Sequence, residues 1–273
     1  YPIGDFHPSG WFATLRVWGH LFGWSEISVR MPSVIFGVLT VFFTYLIGKE
    51  LFSKRVGLLS ALMLSIAPLH IYYSQEARMY SLSAFAVTFS FYSFFAFINK
   101  KKFGWLIFMI SIILVLYSDY VAYFIFPVQL IYLIIYYRNL LKNYFFTFFT
   151  ALIFYIPWMF ILPQQFFSGQ QTATIIPGWK EVVGGSSLKE LFLLGTKTLI
   201  GRISFDNNIY YFIMIICLGM PFLITLIKIK EVINRNSALI LFWLIFVPLI
   251  AWIFSFFIPV FSYFRLIFIL PAF

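Results

Sequence analysis

The chain has 273 residues, of which 62% are hydrophobic, 23% aromatic and only 10% charged, with a formal net charge of +10. That balance leaves too little polar surface to wrap a water-soluble globule, and it excludes disordered and collagen-like chains. A disulfide scaffold is excluded too, because Cys217, inside an apolar run, is the single cysteine.

An all-α membrane protein is therefore expected, and its parts can be read in chain order. Residues 1–30 form an outward loop with an interfacial helix from about Pro8 to Phe22, where Trp11, Leu15, Trp18 and Phe22 recur at helical spacing opposite Arg16 and His20. A spanning helix needs roughly 20 apolar residues to cross a hydrocarbon core about 30 Å thick. Residues 31–162 hold six such segments: Met31 to Gly48, Val56 to Tyr73, Met79 to Ile98, Phe103 to Tyr117, Tyr120 to Tyr137 and Tyr144 to Leu162. Phe103 to Tyr137 is too long for one span, which places a tight turn at Ser118 and Asp119. Residues 163–208 make a second outward loop with Gln164, Gln165, Gln170 and Gln171, then an amphipathic helix from Ser187 to about Leu199 capped by Ser186 or Ser187. Residues 209–273 add Ile209 to Ile227 and Ala238 to Phe257, and Phe264 to Phe273 opens a further span. A chain that starts without Met in a polar loop and stops inside an apolar run reads as a fragment of a longer protein.

Loop charges decide what the basic balance means. One set of alternate loops carries Lys49, Lys54, Arg55, Lys100, Lys101, Lys102, Arg138, Lys142, Lys228, Lys230 and Arg235 against only Glu50 and Glu231, a net of +9. The other set holds eight cations and seven carboxylates, a net of +1. The positive-inside rule makes the first set cytoplasmic and accounts for the excess without nucleic acid. Both long polar loops then face outward.

No ionisable residue lies in the interior of these spans, which argues against a pump or coupled transporter. The ionisable groups crowd the outer rim in three clusters: Asp5, His7 and Arg16 with Arg30; His70, Glu76 and Arg78 with Tyr72, Tyr73 and Tyr80; and Asp119 between two helices. If the helix ending at Tyr73 continues, Tyr72, Glu76 and Tyr80 share one face, while Glu76 and Arg78 point apart. Each charge then needs a partner elsewhere, in another loop, a lipid head group or a substrate; a solvated helix end with interfacial tyrosines is the plainer alternative. Asp119 is ordinary turn chemistry as readily as a functional carboxylate. The segment Asp5 to Gly10 puts a protonatable His before a helix N-terminus, a setting that suits an anion such as phosphate, although Asp or Ser there is ordinarily only a cap. His7, His20 and His70 lack metal-ligand spacing, so no metal site is assigned, and a carboxylate-bound divalent ion stays open.

Several stretches carry a resemblance. Phe6-His-Pro-Ser-Gly-Trp-Phe12, Leu21-Phe-Gly23, Ser25-Glu26, Val29-Arg-Met-Pro-Ser33, Phe52-Ser-Lys-Arg-Val-Gly57 and Ala67-Pro-Leu-His-Ile-Tyr-Tyr-Ser-Gln-Glu-Ala-Arg-Met-Tyr80 resemble the polytopic GT-C glycosyltransferases, and more narrowly the dolichyl-phosphate-mannose protein mannosyltransferase and aminoarabinose transferase group. The likeness is dense from Asp5 to about Tyr80 and extends through Asp119 and Tyr120. It implies a GT-C helix bundle that moves a sugar from a polyprenyl-phosphate donor to an acceptor at the outer membrane face. Aminoarabinose transferases carry a phosphate-contacting Lys before the Pro that opens the interfacial helix, where this chain has His7 before Pro8. They also carry an Asp where this chain has Tyr80, with Glu76 the nearest carboxylate. The family's principal catalytic Asp would fall upstream of Tyr1.

Residues and resemblance together give a concrete expectation. Glu76, Asp119 and Asp5 are the candidate catalytic carboxylates; His7, Arg78, Arg30 and Arg265 would hold the donor phosphate; and Tyr72, Gln75, Tyr80 and Tyr120 would touch substrate. The loop over residues 163–208 would cover the site and select the acceptor, whether protein, lipid or glycan. The rival reading is a lipid-linked-sugar flippase or other transporter, with Ser, Thr, Tyr and Asn lining a path at bilayer depth.

Overall fold

The computed structural model describes residues 7–175, 184–202, 208–227 and 233–273, and every regular element among them is a helix. Asp5 lies outside the described residues. Helix α1 (Gly10–Phe22) turns Trp11 inward and leaves Arg16 and His20 exposed, as amphipathic spacing requires. Leu21, Phe22 and Trp24 at its far end are exposed apolar groups, suited to a bilayer surface. Ser25 then caps α2 (Glu26–Leu51), its Oγ accepting from the Ser28 N–H at 3.2 Å.

The expected span from Val56 to Tyr73 is broken. It forms α3 (Lys54–Ile66) and α4 (Pro68–Gln75), which meet at 61°. Pro68 has no N–H to continue the ladder of α3, and Ala67 before it is forced into extended backbone (φ −65°, ψ 120°).

Helix α5 (Tyr80–Ile98) is the centre of the bundle, 78% buried over its span window, against about 39% for α2. Small residues on several of its sides, among them Ser81, Ser83, Ala84, Ala86, Ser90, Ser93 and Ala96, let neighbouring helices approach closely. It packs on α2, on α6 (Gly104–Ser118) and on a 3-10 turn over Ile267–Ala272. Ser93 donates to Ser111 of α6 at 2.7 Å. Gln129 of α7 (Ile125–Tyr136), fully buried, donates to Ser90 at 3.1 Å. Phe91 stacks on Trp243 with centroids 4.1 Å apart.

The long apolar run does break at Ser118 and Asp119. Asp119 is extended between α6 and a 3-10 turn over Tyr120–Phe124, and its Oδ1 accepts from the Val121 N–H at 2.8 Å. Then come α8 (Leu141–Met159), α9 (Leu162–Ile175) and α10 (Leu188–Ile200), the last capped by Ser187. Helix α11 (Asn208–Ile227) is followed by α12 (Arg235–Leu241) and α13 (Val247–Phe254), joined by a π-helical turn at Phe242–Phe246.

Among the described residues four helices are long and apolar enough to cross a membrane, Glu26–Leu51, Tyr80–Ile98, Arg138–Met159 and Arg235–Phe254, with a fifth if the bent α3–α4 pair is counted as one span; three shorter apolar helices accompany them. The chain is a multi-pass membrane protein built as an all-α bundle. Within Phe264 to Phe273 the described structure is not a regular α-helix. Ile267–Ala272 is a 3-10 turn folded into the core with Ile267 to Leu270 buried, and Pro271 lacks the N–H that a longer helix would use.

The polar groups separate to opposite ends of the bundle. At one end Lys101 meets Glu50 at 2.6 Å and Asn236 donates to the Leu51 carbonyl at 2.7 Å. At the other end the termini of α1, α4, α5, α6 and α8 converge, and the candidate site lies there.

Candidate functional site

Close approach of backbone builds the first half of the site. Gly10 opens α1 directly against the main chain of Tyr117, where a Cβ would collide with the Tyr117 carbonyl. This contact lays the His7–Gly10 segment beside the last turn of α6, two residues from Asp119. The result is His7 Nδ1 at 4.0 Å from Asp119 Oδ2. Asp119 is only 2% exposed, and Oδ2 has no hydrogen-bond partner among the described residues. A buried carboxylate oxygen facing an imidazole is costly unless the ring turns an N–H toward it or a ligand supplies a donor.

Two arginines share the neighbourhood of this carboxylate. Arg78 Nη1 donates to the Tyr80 hydroxyl at 3.5 Å, and that hydroxyl lies within electrostatic reach of Arg78, Arg265 and Asp119 together. Arg265 Nε is buried without a hydrogen-bond partner among the described residues. Asp119, His7, Arg78, Tyr80 and Arg265 thus form one cluster, assembled from segments far apart in the chain.

Glu76 goes elsewhere. The expected shared face of Tyr72, Glu76 and Tyr80 does not form, because α4 stops at Gln75 and Glu76 is extended (φ −84°, ψ 133°). The stop is imposed from outside: Ser33 of α2 donates to the Glu76 carbonyl, and Ser81 donates to the Tyr73 carbonyl at 2.7 Å. Each hydroxyl takes an end carbonyl that helix continuation would need. Glu76 instead lies within electrostatic reach of the Tyr72 hydroxyl, to which Arg202 donates while its guanidinium lies over the Tyr72 ring at 4.5 Å. Partial burial works against the Arg202 charge, but Tyr263, Tyr72, Tyr73 and Glu76 outweigh it and raise its pKa above the ordinary value. An edge contact between Tyr73 and Tyr80, centroids 4.8 Å apart, joins this second cluster to the first.

The remaining expected residues fall around these clusters. Arg30 is held by Glu26 at 2.7 Å in an exposed i,i+4 pair, so its charge is engaged locally. His70, grouped with Glu76 and Arg78 by sequence, is buried against Gly37 of α2. Gln75 is exposed at the end of α4. Tyr120 is half-buried beside Asp119; it accepts from the Trp158 indole at 3.0 Å and donates to Gln165. Among the described residues no three His, Cys, Asp or Glu side chains converge to hold a metal ion.

Arg202 and Gln165 were not legible as site residues. Arg202, at a helix C-terminus after Gly201, reads as a dipole-neutralising cation. Its real placement depends on Gly201 (φ +78°), where a Cβ would sit 2.7 Å from Pro68 Cβ, so the turn can lie against α4 only with glycine there.

A carboxylate with a free lone pair beside an imidazole can take or share a hydroxyl proton, and the adjacent guanidinium groups can neutralise a departing phosphate. At the mouth of a membrane bundle this arrangement is compatible with group transfer from a lipid-borne substrate. A family model described as dolichyl-phosphate-mannose-protein mannosyltransferase matches residues 7–161, more than half of the chain, and the chain belongs to that family. It is a membrane glycosyltransferase that uses a polyprenyl-phosphate sugar. No curated protein and no solved structure matches the chain.

Proposed function

We propose that this transferase moves its sugar to a hydroxyl-bearing acceptor at the extracytoplasmic face, with the His7–Asp119 cluster as the reacting centre. The observation that carries the reading is Asp119, buried, with Oδ2 unbonded and turned to His7 at 4.0 Å. Asp119 orients the acceptor or a sugar hydroxyl, subordinate to a principal catalytic Asp upstream of Tyr1, and the displacement inverts the anomeric centre. Arg78, Arg265 and protonated His7 hold the donor phosphate, where negative charge grows as the sugar leaves. Arg30 joins them only on release from Glu26. Tyr80 and Tyr120 contact the sugar, and Tyr72, Gln75 and Glu76, on the Arg202 side, contact the acceptor. The loop over residues 163–208 covers the site from outside. The side assignment is supported by charge: the end holding Lys49, Lys100, Lys101 and Lys102 is the more basic, and the site lies at the opposite end.

The test is transfer of labelled mannose from dolichyl-phosphate-mannose to a Ser/Thr peptide by the full-length protein in nanodiscs. Asp119→Asn and Arg78→Ala are each expected to lower turnover about a hundredfold without loss of membrane insertion. Wild-type turnover in both would sink the assignment.

A further inference from the structure

Gln165 is 7% exposed, although Gln164, Phe166 and Phe167 beside it on α9 are all exposed. It also lies outside the span that matches the family, residues 7–161. A buried primary amide is destabilising unless both of its ends are bonded. Here both are: the Tyr120 hydroxyl donates to Oε1, and Nε2 donates to the His7 carbonyl at 3.2 Å. The orientation is determined by its surroundings. The Trp158 indole N–H donates to the Tyr120 oxygen at 3.0 Å, leaving the phenolic proton to point at Gln165. The amide must therefore present oxygen to Tyr120 and NH2 to His7; the reverse would set two acceptors face to face at His7.

His7 needs such a tether. It precedes Pro8, which has no N–H, and stands before the first residue of α1, so no helical ladder holds it. We propose that Gln165 is a positioning residue for glycosyl transfer: through the main chain of His7 it sets the imidazole against Asp119, and through Tyr120 it links that setting to the outer loop. The role rests on the reading of His7 and Asp119 as the reacting centre. It makes loop 163–208 part of the catalytic geometry as well as a cover.

Three variants of the full-length protein in nanodiscs separate this role from simple packing. Gln165→Leu removes both bonds. Gln165→Glu keeps an acceptor for Tyr120 but sets a second acceptor against the His7 carbonyl. Gln165→Asn keeps the chemistry on a shorter arm. The first readout is hydrogen–deuterium exchange of the amides from Ser9 to Ala13, which needs no substrate; exchange should rise about tenfold in the Leu and Glu variants and less in Asn, with peptides from α5 unchanged. The second is the pH profile of mannose transfer from dolichyl-phosphate-mannose, which should change shape in the Leu and Glu variants and be partly restored in Asn. Wild-type exchange in Gln165→Glu overturns the tether. Raised exchange with an unaltered pH profile overturns the positioning role. Absence of transfer by the wild type, with the exchange differences intact, would sink the functional reading and this role with it, while leaving the tether as a structural fact.

Discussion

At Asp119 one carboxylate serves two ends. Oδ1 accepts the Val121 N–H and starts the 3-10 turn, while Oδ2 faces His7. Asparagine caps as well as aspartate does, so Asp119→Asn preserves the turn and removes only the charge, whereas Asp119→Ala would confound the two. His7 invites the complementary change. A histidine exchanges its charge between about pH 5 and 8, so a phosphate-holding His7 is effective at acid pH and fades as pH rises. In His7→Lys the cation persists through that range. Transfer by the wild type should fall across neutrality and transfer by His7→Lys should hold; a pH–rate profile decides. If the Lys variant lost activity at alkaline pH as the wild type does, the cationic role would be wrong.

Among the elements, α1 depends on the narrowest contact. Gly10 lies on the Tyr117 main chain with no room for a side chain, and small-to-large changes at such contacts cost about 1–3 kcal/mol. Gly10→Val should lift the start of α1, expose the chain before it to limited proteolysis and abolish transfer, with the spanning helices intact; a protease pattern like wild type would argue that α1 is held some other way. The same scale shows what could be read from sequence. The cap at Ser187 and the break at Ser118–Asp119 were legible, because a capping side chain and an overlong apolar run are local signals. The stop at Gln75 was not, since the hydroxyl that enforces it belongs to Ser33, 43 residues away. Gln165 and Arg202 were hidden for the same reason: loop residues acquire a role only when a distant phenol, Tyr120 or Tyr72, is brought beneath them. The Asp119 and Arg78 neighbourhood was half legible: rim placement followed from the charge-free spans, but the split of Glu76 from Arg78 into separate clusters did not.

For the whole molecule, sidedness is the testable property. The proposed orientation, with the lysine-rich end inward, rests on loop charge. In a Cys217→Ser background, Ser186→Cys should react with an impermeant maleimide on intact cells and Lys101→Cys only after permeabilisation. The reverse pattern would turn the protein, and the site, to the other side.

The bent pair has a consequence for the surrounding lipid. Helix α2, at 26 residues, is about 39 Å long, whereas α3 contributes 13 residues, about 20 Å, before α4 turns aside by 61°. On that flank the straight part of the wall is therefore shorter than along α2, and a bilayer meeting it would thin to match.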